Sequence, residues 1–108
     1  MKSTKIMAST KIPNKIFDKI IASDFTKREL KVLLLIIKGS YGLGSLSANL
    51  SKKDFFKAGI LPYHVEDIVK GLVLRCVVKW KPERGTFWIN PNLKEWIDKK
   101  RKANSFKS

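Results

Sequence analysis

Apolar positions in this 108-residue chain recur with two different periods, and the changes between them mark out the elements. In IPNKIFDKIIAS, Ile16, Phe17, Ile20 and Ile21 share one side of a helical wheel, which predicts a short first helix with Pro13 in its first turn. Thr26-Lys27-Arg28-Glu29 has the form of a capping box and opens ELKVLLLIIKGSYG. That second helix is nearly all apolar, so it is expected to be central, stopping near Tyr41 with Gly42 in the left-handed terminating conformation. The weak alternation of Ser45 to Asn49 predicts a short strand. Ser51-Lys52-Lys53-Asp54 gives a second capping signal, for a short helix that buries Phe55 and Phe56 and ends at Gly59. Pro62 starts another helix, with Val65, Ile68, Val69 and Leu72 as its buried stripe.

Beyond that helix the period changes to two. VVKW and TFWIN flank Lys81-Pro82-Glu83-Arg84-Gly85, a β-hairpin pattern, and the aromatic residues Trp80, Phe87 and Trp88 are expected to pack it against the helices. Asn90-Pro91 precedes NLKEWIDKKRK, a last helix with Leu93, Trp96 and Ile97 facing inward. Helix, helix, strand, helix, helix, hairpin is the order of a winged helix-turn-helix domain, an α+β fold that is mostly helical and carries a C-terminal helix. The domain is expected to span residues 12–98, between a basic arm over 1–11 and a basic tail over 99–108.

Composition narrows the function. Lys and Arg total 23 against 9 acids, a formal net charge of +14, which favours a polyanionic partner. The two ends are the most basic parts and residues 61–90 the least. One Cys and one His make neither an intramolecular disulfide nor a structural zinc site, so no cofactor is expected. The longest apolar run, Val32 to Ile37, is far short of the roughly 20 residues of a membrane span. With no apolar run after the basic N-terminus to suggest a signal peptide, the chain is expected in the cytoplasm, away from membranes. The sequence offers no nucleophile-base pairing, phosphate-binding loop or metal spacing, so an enzyme is not expected.

Double-stranded DNA is therefore the expected partner. In this motif the first turns of the second helix enter the major groove, which nominates Tyr63, His64 and, about two turns further on, Lys70 for contacts to bases. Lys52, Lys53 and Lys57 lie on the helix that crosses the DNA backbone, and Lys79, Lys81 and Arg84 bracket the wing tip. Glu66 and Asp67 break the pattern, because acids are repelled by phosphate. They can accept from cytosine N4, complement the helix N-terminus, or mark a protein-binding face.

IPNKIFD, TKRELKVLLLIIKGSYG, HVEDIVKGL, the hairpin and the terminal INP with Trp96 together resemble the N-terminal origin-binding domain of lambda-type phage replication protein O, over roughly residues 11–98. The resemblance implies a winged helix that binds repeated sites in a replication origin, as a homodimer on paired half-sites, in a bacterial host cell. It also implies a further region, in family members, that recruits the replicative helicase machinery. Cys76 departs from the family pattern by standing where a glycine commonly ends the recognition helix, and a non-glycine residue is expected to take the terminating turn there. Two alternatives share the fold: an interaction module that grips a replication factor such as a helicase loader through Glu66 and Asp67, and a transcriptional repressor.

Overall fold

The computed structural model describes residues 9–97. The basic tail from Lys99 and most of the N-terminal arm lie outside that range. The elements are α1 (Asn14–Ala22), α2 (Lys27–Gly39), β1 (Ala48–Asn49), α3 (Lys52–Lys57), α4 (Pro62–Leu74), β2 (Val78–Lys81) and β3 (Thr86–Ile89), with 3-10 turns at Tyr41–Leu43 and Leu93–Glu95. The order is the predicted one, and the three strands form an antiparallel sheet in the order β1-β3-β2.

α2 is the central helix because its apolar residues leave little polar surface to show: Val32, Leu33, Ile36 and Ile37 are all buried. Its start is the capping box expected from the sequence, with the Glu29 amide donating to Thr26 Oγ1 at 3.1 Å and the Thr26 amide donating to Glu29 Oε1 at 2.8 Å. Its end differs from expectation. The helix stops at Gly39, where the Ser40 hydroxyl and amide both donate to the Ile36 carbonyl. A 3-10 turn follows, and the left-handed residue is Gly44, at φ +72°, rather than Gly42. The last helical residue has to be glycine, since a Cβ on residue 39 would come to 3.0 Å from the Ala48 Cβ. β1 lies against the helix end there, and it is two residues long rather than five.

α4 ends as a Schellman motif without glycine. Cys76 takes φ +61°, its amide donates to the Val73 carbonyl, and the Val77 amide donates to the Leu72 carbonyl. The next residues enter β2 directly. Val78, Phe87 and Ile89 face the core, and Trp80 stacks on Phe87 with ring planes 8° apart and centroids 5.8 Å apart. Phe55 meets the same Phe87 edge-on, so α3 and the wing share one packing site.

Two predicted faces are less buried than the pattern implied. On α1, Ile16 is buried and Ile20 half-buried, while Phe17 and Ile21 are exposed, because a nine-residue helix at the edge of the fold seats only one stripe. Pro13 sits just before α1 and caps it, its carbonyl accepting from the Ile16 and Phe17 amides. The last helix is reduced, among the described residues, to the single 3-10 turn Leu93–Glu95. Trp96 is extended and buried, and Ile97 is exposed rather than inward. Asn90 organises this segment: its side chain donates to the Cys76 carbonyl and to Glu95 Oε1, both at 2.8 Å, and its carbonyl accepts from the Trp96 indole.

Among the described residues Arg75 is a buried cation. Its guanidinium lies 3.5 Å from Glu29 Oε1, donates to the carbonyls of Asp24 and Ile97, and rests over the Phe25 ring at 4.6 Å. One side chain thus joins the start of α2, the end of α4 and the C-terminal segment. It was not among the residues singled out in the sequence, because both of its ionic and aromatic partners lie more than forty positions away.

Candidate nucleic-acid interface

The predicted DNA-contacting residues fall on two separate surfaces. The first joins α3 to the start of α4. The Ser51 amide donates to Asp54 Oδ2 at 2.8 Å, which opens α3, and Gly59 at φ +88° turns the chain into α4. Lys31, from α2, donates to the Ala58 carbonyl at 2.9 Å and so fixes the end of α3. The result is a short helix held at both ends with Lys52, Lys53 and Lys57 exposed. Only Phe55 of its two phenylalanines is buried. Phe56 is 59% exposed, against expectation, because a six-residue helix turns just one side to the core. The three lysines surround Phe56 and Pro62 in a shallow concavity of about 370 Å³.

Next to this concavity stands the first turn of α4. Tyr63 is 72% exposed and its ring lies 4.5 Å from that of His64, so the two aromatic groups leave the helix together. Further along, Lys70 Nζ and Glu66 Oε2 form an exposed ion pair at 2.9 Å. The hydrogen bond from Lys70 holds the Glu66 carboxyl below its ordinary pKa, and the same contact raises Lys70. This arrangement bears on the acids of α4. No acid occupies the first turn, where the helix dipole acts most strongly, and Glu66 is instead matched by a neighbour four residues on. Glu66 also lines the cleft between α4 and the wing, close enough to feel the charge of Lys52.

The second surface is the outer face of the sheet. Along β2, Val78 is buried and Trp80 packs on Phe87, so the alternate residues Lys79 and Lys81 project from the opposite face. Trp88 belongs to that outer face too, directly across from Lys79 in the register, whereas its neighbours Phe87 and Ile89 point to the core. The expectation that all three hairpin aromatics pack against the helices therefore holds for Trp80 and Phe87 and fails for Trp88. Lys81 Nζ lies 5.9 Å from the Trp88 ring centre. Lys81, Arg84 and Trp88 line a cavity of about 420 Å³ together with Tyr41, Leu46 and Pro91. Sequence alternation in TFWI already separates Trp88 from Phe87; Tyr41 and Leu46 reach the same cavity from a distant part of the chain.

Two helices joined by a tight glycine turn, with the second flanked by a β-hairpin, define a winged helix-turn-helix protein. The chain belongs to the bacteriophage replication protein O family, whose family model matches residues 9–96. That family carries a role in the initiation of phage DNA replication. Searches of curated proteins and of solved structures found no match. Among the described residues no helix is long and apolar enough to cross a membrane, and no cluster of His, Cys, Asp and Glu could hold a metal ion.

Proposed function

We propose that this chain initiates phage replication by binding double-stranded DNA sequence-specifically, at repeated sites in a replication origin. The observation that carries the proposal is the grouping of Lys52, Lys53 and Lys57 on α3 beside the exposed Tyr63 and the half-buried His64 at the start of α4. In a helix-turn-helix the first helix crosses the backbone and the start of the second enters the major groove. The lysines then hold phosphates and set position, while Tyr63 and His64 meet base edges and set sequence. Lys70 has a smaller part than its place in the sequence suggests, because Glu66 already engages its ammonium. Of the wing cations, Arg84 stands at the hairpin tip and can meet an adjacent phosphate; Lys79 and Lys81 project from the other face of the sheet.

A salt titration tests the assignment. Changing Lys52 and Lys53 together to Ala is expected to weaken binding to every duplex alike and to lower the slope of log K against log salt by about 1 for each phosphate that the variant no longer neutralises. An unchanged slope removes α3 from the interface.

The exposed Glu66 and Asp67 favour a second reading, in which the same helix grips a basic surface on a replication protein such as a helicase or its loader. Replacement of both by Lys separates the readings. Duplex affinity is expected to rise if α4 faces DNA. If it faces a protein, DNA binding stays as it was and capture of the loader is abolished.

A further inference from the structure

No helix covers the outer face of the sheet, which is flanked by Tyr41, Leu46 and Pro91, and it is built unlike the α3–α4 surface. Its cavity of about 420 Å³ has an aromatic wall, Trp88, an apolar floor and cations at its rim, and no acidic side chain lines it. The strand that carries the wall is fixed on the same face, where Thr86 also lines the cavity. Thr86 donates to Asn49 Oδ1 at 2.8 Å, tying β1 to β3, and β3 is hydrogen-bonded on both sides.

We propose that this face binds single-stranded DNA, with an unpaired base stacked on Trp88 and the backbone running past Lys79, Lys81 and Arg84. Three features carry the proposal. Trp88 offers a flat face in an open cavity wide enough for a base, and base-aromatic stacking works for any base. Lys79 and Lys81 are alternate residues of one strand, so their stems emerge about 6.6 Å apart along it, a repeat that an extended sugar-phosphate chain can follow. Lys81 Nζ lies over the Trp88 ring, 5.9 Å from its centre, so a stacking base takes the place of the ammonium, which on its flexible stem then meets the phosphate of that nucleotide.

A duplex does not satisfy the same site, because its bases are stacked on one another and show no free face. An acidic peptide would satisfy the cations but would leave the flat wall without a matching group. The proposal goes beyond duplex binding and does not depend on it, since Lys79, Lys81 and Trp88 lie on the opposite face of the sheet from the α4 cleft, and only Arg84, at the hairpin tip, is shared with the duplex reading.

The test uses the whole chain and a short oligo-dT, compared with a duplex of mixed sequence and with an abasic oligonucleotide of equal length. Oligo-dT is expected to shift the Trp88 indole N–H resonance and to leave that of the buried Trp96 in place. Trp88→Ala should weaken oligo-dT binding about tenfold, the scale of one missing stack, and Trp88→Phe should restore most of it. Neither substitution should alter duplex binding, and the abasic strand should bind the wild type no better than oligo-dT binds Trp88→Ala. Should Trp88→Ala fail to fold, the indole shift in the wild type and the loss of oligo-dT affinity in Lys81→Ala carry the test. Three results overturn the proposal: an unmoved Trp88 resonance, equal affinity for the abasic strand, or displacement of the resonance by an acidic peptide alone. Failure of duplex binding in Lys52→Ala, Lys53→Ala concerns α3 and leaves the single-strand site unaffected.

Discussion

At the scale of single residues, charge matters in two opposite ways. Arg75 and Glu29 are each about one-tenth exposed, so their pairing replaces lost hydration. Removing the arginine leaves the Glu29 carboxylate with the Thr26 amide as its remaining partner. Arg75→Met is therefore expected to destabilise the fold by about 3 kcal/mol, the cost of orphaning one member of a buried pair, measured by urea unfolding. A loss below about 1 kcal/mol would show that Glu29 finds enough hydration without it. Glu66 and Lys70 are the contrast, for their pair is open to water and adds little to stability. It does pair the cation that the sequence offered to the DNA groove with an acid of the same helix. The two pairings are not equally legible in the sequence. Glu66 and Lys70 are four apart on one helix, which is a local pattern, whereas Arg75 and Glu29 meet only when α2 and α4 pack.

At the scale of elements, local chemistry sets the starts and tertiary contact sets the ends. Both capping boxes lie where the sequence places them, because their groups are within one turn of each other. The Cys76 turn is legible for the same reason: α4 has to stop before the hairpin, and no glycine stands there. The end of α2 at Gly39 is different: the close approach of β1 that requires a glycine there involves residues distant in sequence, and the pattern of α2 alone continues past it. The sequence overstates the burial of Phe17, Ile21 and Phe56 because periodicity identifies an apolar face without saying how much of it finds a partner. The cap of α3 also makes a pH prediction. The hydrogen bond from the Ser51 amide holds the Asp54 carboxyl below its ordinary value of 3.8, so the folded chain binds this proton less readily than the unfolded one. The cap then contributes its full stability above the unfolded value and loses it as pH falls through the lower folded one. Urea unfolding of Asp54→Asn against the wild type is expected to show a larger deficit at pH 7 than at about pH 3; equal deficits would mean that the carboxylate charge plays no part in the cap.

At the scale of the molecule, the wing separates two surfaces with different chemistry. On one side the lysines of α3 surround a shallow concavity beside the aromatic pair of α4. On the other, Trp88 and its cations line a hollow suited to an unpaired base. The charge of +14 points to a polyanion as the partner, and the element order gives the winged helix, but neither says which basic residues share a face. That information lies in the strand register and in how α3 meets α4, which is why nine candidate residues divide in the structure into two sets. The central claim, sequence-specific recognition of duplex DNA by the α3–α4 surface, is tested most directly by selection from a random duplex library at near-physiological salt, run in parallel on the wild type and on Tyr63→Ala. The account predicts enrichment of one defined motif by the wild type, with at least one of its positions relaxed in the variant. Binding that is salt-sensitive but enriches no motif would contradict it.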